Sequence, residues 1–332
     1  MSEHEESGPS PFHAGEIAVQ ERCGVREAID RVGRVVIRTF MLPDHRELFA
    51  KLPMVIVGSL DDDRRPWASI LVGPPGFTRA VDERTLRIDA VPAPGDPLAS
   101  SLMIGAPLGL LGIELPTRRR NRLNGTVTAL DARGFTVTVD QSFGNCPQYI
   151  QARTPERRRA PVQERERRAP SVLGPRLDAA ARALVERADT LFVASASADA
   201  RGHAGSQGVD VSHRGGKPGF VRVDESDGAT VLVLPDFRGN FLFNTLGNVT
   251  ANPRIGVTVP DFEHGDVLQL TGAAAIVWDG PELASFAGAE RLLVVTLESG
   301  MWLPAVLPFT WSRPDYARQL ADTGAWPASP RA

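Results

Sequence analysis

The sequence predicts a mainly β protein, two tandem antiparallel β-barrels with small helices, on three observations. Short runs rich in β-branched or apolar residues end in Gly- or Asp-containing turns, and the connections between them are too short for crossover helices. The third is internal repetition. Trp67-Ala-Ser69-Ile-Leu-Val-Gly73-Pro-Pro-Gly76-Phe77 lies without a gap on Asp210-Val-Ser212-His-Arg-Gly-Gly216-Lys-Pro-Gly219-Phe220, so that Ser, Gly, Pro, Gly and Phe coincide. Further on, Arg122-Leu-Asn-Gly125-Thr-Val falls on Gln269-Leu-Thr-Gly272-Ala-Ala after a small insertion. Two matches in the same order identify a duplicated domain.

Taken in order, residues 1–44 read as a tail, frayed to about residue 12, and a helical lead-in. The first barrel is assigned to residues 45–152. Asp44 is placed to cap a helix over His45 to Leu52. Strands follow at Met54 to Leu60, in the Trp67 segment and at Thr85 to Ala90. Asp96-Pro97 is an N-cap followed by proline at the first helical position. Pro107 to Leu115, Arg122 to Asp131 and Phe135 to Gln141 close the unit. Residues 153–175 form a linker: from Arg153 to Arg168 there are seven arginines and three glutamates with almost nothing apolar, which reads as a solvated connector. The second barrel, 176–315, repeats the plan. Asp178 caps an alanine-rich helix to Asp189, and strands run at Thr190 to Ser197 and Thr230 to Leu234. A helical piece follows over Asn240 to Asn248, then strands at Arg254 to Pro260, Asp266 to Trp278 and Arg291 to Glu298. Residues 316–332 read as a C-terminal tail.

Composition narrows the function. The 332 residues, 42% hydrophobic and 23% charged, suit about two globular domains. A net charge of −3 gives no reason to expect duplex nucleic acid as a partner. Cys23 and Cys146 form neither a disulfide framework nor a CxxC motif, which fits a reducing interior. The acidic, polar start lacks the features of a secretory signal. The longest uncharged stretch, Pro97 to Ile113, is broken by two prolines and three glycines, so no membrane span is expected and the protein reads as cytoplasmic. There is no phosphate loop, strand-linked G-x-G-x-x-G, G-x-S-x-G elbow or H-E-x-x-H, and the six histidines lack ligand spacing, so no metal is expected.

Two clusters carry polar chemistry. In Gln207 to Phe220, strand alternation puts Asp210, Ser212 and Arg214 on one face and Val211 and His213 on the other. A hydroxyl and a guanidinium project together, followed by Gly215-Gly216, whose bare backbone would admit a ligand; that set suits a phosphate as well as it suits a surface strand ending in a glycine turn. The second cluster, Pro235-Asp-Phe-Arg238-Gly-Asn240-Phe-Leu-Phe-Asn244, stands where a strand turns into a helix, and helix-start amides favour an anion.

These segments, QGVDVSHRGGKPGF, LPDFRGNFLFNTLGNVTANPRIGV and GDVLQLTGAAAIVW, resemble the FMN-binding split-barrel family related to pyridoxamine 5'-phosphate oxidase. GIELPTRRRNRLNGTVTAL and SFGNCPQYIQAR resemble the companion half of its tandem members, and the likeness covers roughly residues 45 to 310. The resemblance implies FMN in a groove between two barrels. Ser212 and Arg214, with Gly215, would hold the phosphate from one strand, and Arg238, Asn240 and Asn244 from the later cluster. Gln269 would reach a polar edge of the flavin, while Asn145, Cys146, Gln148 and Tyr149 would meet the ring from the first half. Opposite Ser212-His-Arg214 the first half has Ser69-Ile-Leu71, so one competent site is expected. The Arg118-Arg119-Arg120 run with Arg122 reads first as a solvated edge strand, with charge lent across the interface as the alternative. The C-terminal segment lacks the family's substrate-binding Arg/His motif. What remains is two-electron transfer between FMN and a small organic substrate, with no acid or base assigned. A non-catalytic flavin- or tetrapyrrole-binding module is the alternative, and a homodimer is left open.

Overall fold

The computed structural model describes residues 8–158, 168–201 and 205–327. Two helices come first, α1 (Ala14–Arg22) and α2 (Arg26–Val36), then α3 (Pro43–Lys51). The first unit continues with β1 (Met54–Leu60), β2 (Pro66–Val72), β3 (Thr78–Ala80), β4 (Thr85–Ile88), α4 (Leu98–Ser101), β5 (Pro107–Glu114), β6 (Arg119–Asp131) and β7 (Gly134–Gly144). After β8 (Pro155–Arg157) and β9 (Ser171–Leu173), the second unit runs α5 (Ala179–Arg187), β10 (Thr190–Ala196), β11 (Val209–Gly215), β12 (Arg222–Ser226), β13 (Ala229–Phe237) and α6 (Asn244–Ala251). It is completed by β14 (Arg254–Pro260), β15 (Val267–Val277), α7 (Pro281–Ala284), β16 (Ala289–Leu303) and β17 (Phe309–Trp311).

The protein is mainly β, and the repeat in the sequence is a repeat in topology. The first sheet is ordered β2-β1-β5-β6-β7-β4-β3 and the second β11-β10-β14-β15-β16-β13-β12, with every pairing antiparallel. Strand by strand the two orders correspond. The central strands are apolar on both faces because both faces are covered. On β1, Val55 and Val57 enter the first unit's own core while Met54 and Ile56 enter a cluster between the units. On β10, Leu191 and Val193 face inward and Phe192 and Ala194 meet that same cluster.

The units cross so closely that side chains are excluded at two equivalent points. A Cβ on Gly109 of β5 would lie 2.5 Å from the Val209 carbonyl, and one on Gly256 of β14 would lie 2.5 Å from the Pro66 carbonyl. The two halves thus pack as a pseudo-twofold pair, which sets residues of β6 beside β11 and residues of β15 beside β2.

Several local expectations are corrected. Phe12 is buried against Ile29, Phe143 and Leu242, so the chain is packed from Phe12 on, while Gly8 and Pro9 are exposed. Leu42, not Asp44, stands at the cap of α3, which begins two residues earlier than expected, at Pro43. Asp178 does cap α5, accepting from the Ala181 N–H at 2.8 Å. The ends of the connector are exposed for the most part but structured: Arg153 is buried in an ion pair with Asp189, β8 pairs with β17, and β9 joins β16. Residues 159–167 lie outside the described residues. The C-terminal segment is packed through residue 326, where the Trp326 indole donates to the Phe220 carbonyl at 2.8 Å. No helix among the described residues is long and apolar enough to cross a membrane.

Candidate functional site

A crevice of about 120 Å³ opens between the two units. Strand β11 supplies one wall. Its alternation sends Val211 into the interface cluster and leaves Asp210, Ser212 and Arg214 on the opposite face. Ser212, Arg214, Gly215, Asn240, Asn244, Asn145 and Gln148 all line this one space, with Cys146 and Tyr149 beside them. Segments far apart in the sequence are therefore brought together, 145–149 from the first unit and three stretches from the second.

Arg122, which the sequence reading placed on a solvated edge, lies at the base of the crevice and is only 4% exposed. The reason is topological: β6 sits inside the sheet between β5 and β7, and the crossing of the units presses it against β11. Its Nη1 donates to Asp210 Oδ1 at 3.0 Å and to Asn244 Oδ1 at 2.6 Å, and Nη2 donates to Ser212 Oγ. The Asp210 carboxylate also accepts from Asn124 at 2.8 Å and Asn248 at 3.1 Å. Ser212 and Asn244 are thus already bound into a network that holds the wall in place.

Above that layer the balance changes. Arg214 pairs with Asp236, whose second oxygen lies 2.9 Å from Arg291 Nε. Arg291 is buried and also pairs with Glu290, its guanidinium 5.0 Å from the Phe243 ring centre. Arg120 has no carboxylate partner among the described residues; its Nε donates to the Cys146 carbonyl at 2.8 Å. Burial, with the nearby Arg122 and Arg214 charges, pulls its guanidinium down to about 10. Arg122 Nε, Arg214 Nε and Asn145 Nδ2 are buried with no partner among the described residues. An unmet buried donor costs roughly 1–3 kcal/mol, and all three of these belong to residues that line the crevice.

The rim is aromatic and strained. Tyr149 (φ 63°), Phe241 (φ 59°) and Phe243 (φ 62°) hold left-handed backbone conformations, and all three line the crevice. Each costs about 1–3 kcal/mol, and such strain persists where surrounding structure imposes it. Tyr149 packs on Phe237 with ring centres 4.9 Å apart. His213 also lines the crevice; it is 5% exposed, packs edge-on against Phe192, and its pKa is pushed well below the usual imidazole value by burial and by the Arg120, Arg214 and Arg153 charges. Its Nε2 has no partner among the described residues.

Three expected ligands change role. The bare backbone of Gly215 is used by the protein itself: a Cβ there would sit 2.0 Å from the Tyr149 carbonyl. Arg238 does not line the crevice; it is exposed and lies over the Phe241 ring at 5.4 Å. Gln269 is fully buried elsewhere, donating to the Ala68 carbonyl at 3.0 Å, Ser69 Oγ at 3.2 Å and Asp96 Oδ2 at 3.2 Å. By the strand correspondence, Ser69 and Gln269 are the counterparts of Ser212 and Arg122. At this second position the Asp96 carboxyl, bonded to Ser69 Oγ at 2.6 Å and to the Leu98 N–H at 2.9 Å, occupies the space, and burial raises its pKa. Sequence reasoning ranks a solvated edge above charge lent across the interface for the run that holds Arg120 and Arg122, although the repeat that sets Arg122 on Gln269 already points to a shared position.

Fold and site together define a duplicated split barrel with one cationic crevice between its halves. Residues 177–306 match the family described as "Pyridoxamine 5'-phosphate oxidase". No curated protein matches the chain. Similar solved structures include a variant of HupZ from Group A Streptococcus, 13% identical, covering 38% of this chain and 98% of that one with a TM-score of 0.29. They also include HupZ itself, 13% identical over 35% of this chain and 84% of that one with a TM-score of 0.26. HutZ, the heme storage protein from Vibrio cholerae, is 13% identical over 39% of this chain and 95% of that one, with a TM-score of 0.25. Likenesses this distant say nothing of what this chain binds.

Proposed function

We propose that the protein binds FMN in the crevice between its units and is an oxidoreductase carrying out two-electron transfer on a small organic substrate. The observation that supports this is the surplus of donors: Arg120 without a carboxylate, beside unmet nitrogens of Arg122, Arg214 and Asn145. Such a set suits a phosphoryl group, whose oxygens only accept at neutral pH. The aromatic rim of Tyr149, Phe237 and Phe241 suits a flat ring system. Bound FMN would supply the redox chemistry itself. The chain's part is to neutralise the phosphate through Arg120 and Arg214, to orient the ring between the 145–149 segment and the Phe237–Phe243 loop, and to exclude water from that wall.

Purified protein titrated with FMN tests the reading. It should turn yellow, bleach with a reductant and recover its colour when an acceptor is added. Colour without substrate-dependent turnover would leave a binding protein, and failure to take up FMN would remove the proposal.

A further inference from the structure

The floor of the crevice is reached from an unexpected direction. Helix α1 precedes the first barrel, yet it packs on α6 of the second. A Cβ on Gly15 would lie 2.2 Å from the Gly247 carbonyl, and one on Gly247 would lie 2.6 Å from Glu16 Cα, so the two backbones touch. This contact presses Glu16, 3% exposed, against the start of α6. Glu16 Oε2 accepts from its own cap's backbone, the His13 N–H, at 3.0 Å, and Oε1 accepts from Asn244 Nδ2. Asn244 passes the contact on, since its Oδ1 accepts from Arg122 Nη1 at 2.6 Å.

Among the described residues, no Lys or Arg is directly bonded to Glu16. The charged and titratable groups that face it are Asp210 from β11, Arg122 from β6 and His13 of its own cap. From α6 it meets Asn244 and, through His13, Asn248, neither of which titrates. Burial, reinforced by the Asp210 charge, pushes the carboxyl up to about 8, against the opposing contacts from His13 N–H, Asn244 and Arg122.

We propose that Glu16 is a positioning residue for the anion in the crevice. As a neutral acid it leaves the Arg122 charge to Asp210 and the ligand; on ionising it claims part of that charge through Asn244 and loosens the ligand. The inference rests on the crevice being the FMN phosphate site. FMN is suited to the test because a phosphomonoester is doubly charged above a pKa of about 6, so its own charge is constant from pH 7 to 9.

FMN affinity of the full chain is measured at pH 7 and pH 9 for the wild type and for Glu16→Gln, which keeps the shape and stays neutral. Wild type should bind about tenfold more weakly at pH 9, while Glu16→Gln should change by less than about twofold. Equal losses in both proteins, or a loss in Glu16→Gln that is the same at both pH values, would overturn the proposal. Should Glu16→Gln not fold, calorimetry of wild type in two buffers at pH 8.5 reads the proton directly: binding should take up most of one, and no uptake overturns the idea. Sulfate, whose charge is also constant here, is titrated in parallel. If FMN fails to bind and sulfate shows the pH loss, the flavin reading falls and this inference stands; if neither binds, both fall.

Discussion

Arg122 on β6 and Gln269 on β15 occupy corresponding places in the two sheets, yet they face different surroundings. Gln269 meets a carboxyl from α4's approach, Asp96, and that position is closed. Arg122 meets Asp210, Ser212 and Asn244 and forms the floor of an open crevice. One duplicated fold has thus become a closed half and an open half.

Removing Arg122 should be costly. Arg122→Gln, which imports the residue of the closed half, leaves Asp210 buried with only amides around it. Breaking one partner of a buried pair costs about 3–5 kcal/mol, to be read by urea denaturation at pH 7. A loss below about 1 kcal/mol would mean that the network does not hold the two units together.

Arg120 should behave in the opposite way. It has no acid to leave behind, and Arg120→Ala relieves repulsion from Arg122 and Arg214. Folding stability should hold or rise, while FMN affinity falls by about 1.5–3 kcal/mol for a lost charge-assisted contact. Parallel denaturation and binding curves separate the two effects.

Glu16 sets a pH dependence of stability without any ligand. Its folded pKa, about 8, lies above the ordinary value of 4.5, so the native state keeps a proton that the unfolded chain releases. Stability should therefore fall as pH rises from about 4.5 to about 8 and then level off. Glu16→Gln should lose that slope; identical slopes in urea denaturation across this range would show that Glu16 is not the group responsible.

The contact between α1 and α6 leaves no room for a methyl. Gly247→Ala puts a Cβ 2.6 Å from Glu16 Cα, which forces the helices apart. A destabilisation of about 1–3 kcal/mol is expected, with α1 becoming more open to limited proteolysis. Unchanged protection would mean that α1 is not seated as described.

The barrels were legible because strand-length apolar runs, short turns and the Ser69/Ser212 repeat all state local or pairwise facts that a linear chain preserves. The gathering of 145–149 with Ser212, Asn240 and Asn244 was legible through family resemblance. Arg122 was misread because an arginine run looks the same at an edge as inside a sheet, and only the order β5-β6-β7 decides which it is. Gln269 was drawn to the wrong half because the pseudo-twofold exchanges partners: β15 faces β2, not β11. Glu16 gave no signal, since its burial depends on a glycine some 230 positions away.

Isothermal titration of the full chain with FMN at pH 7 decides whether the crevice between the units is a flavin site. With the Asp96 position closed and one crevice open, one FMN should bind per chain, and its affinity should drop at least tenfold in Arg120→Ala. Two sites per chain, none, or an affinity indifferent to Arg120 would contradict it.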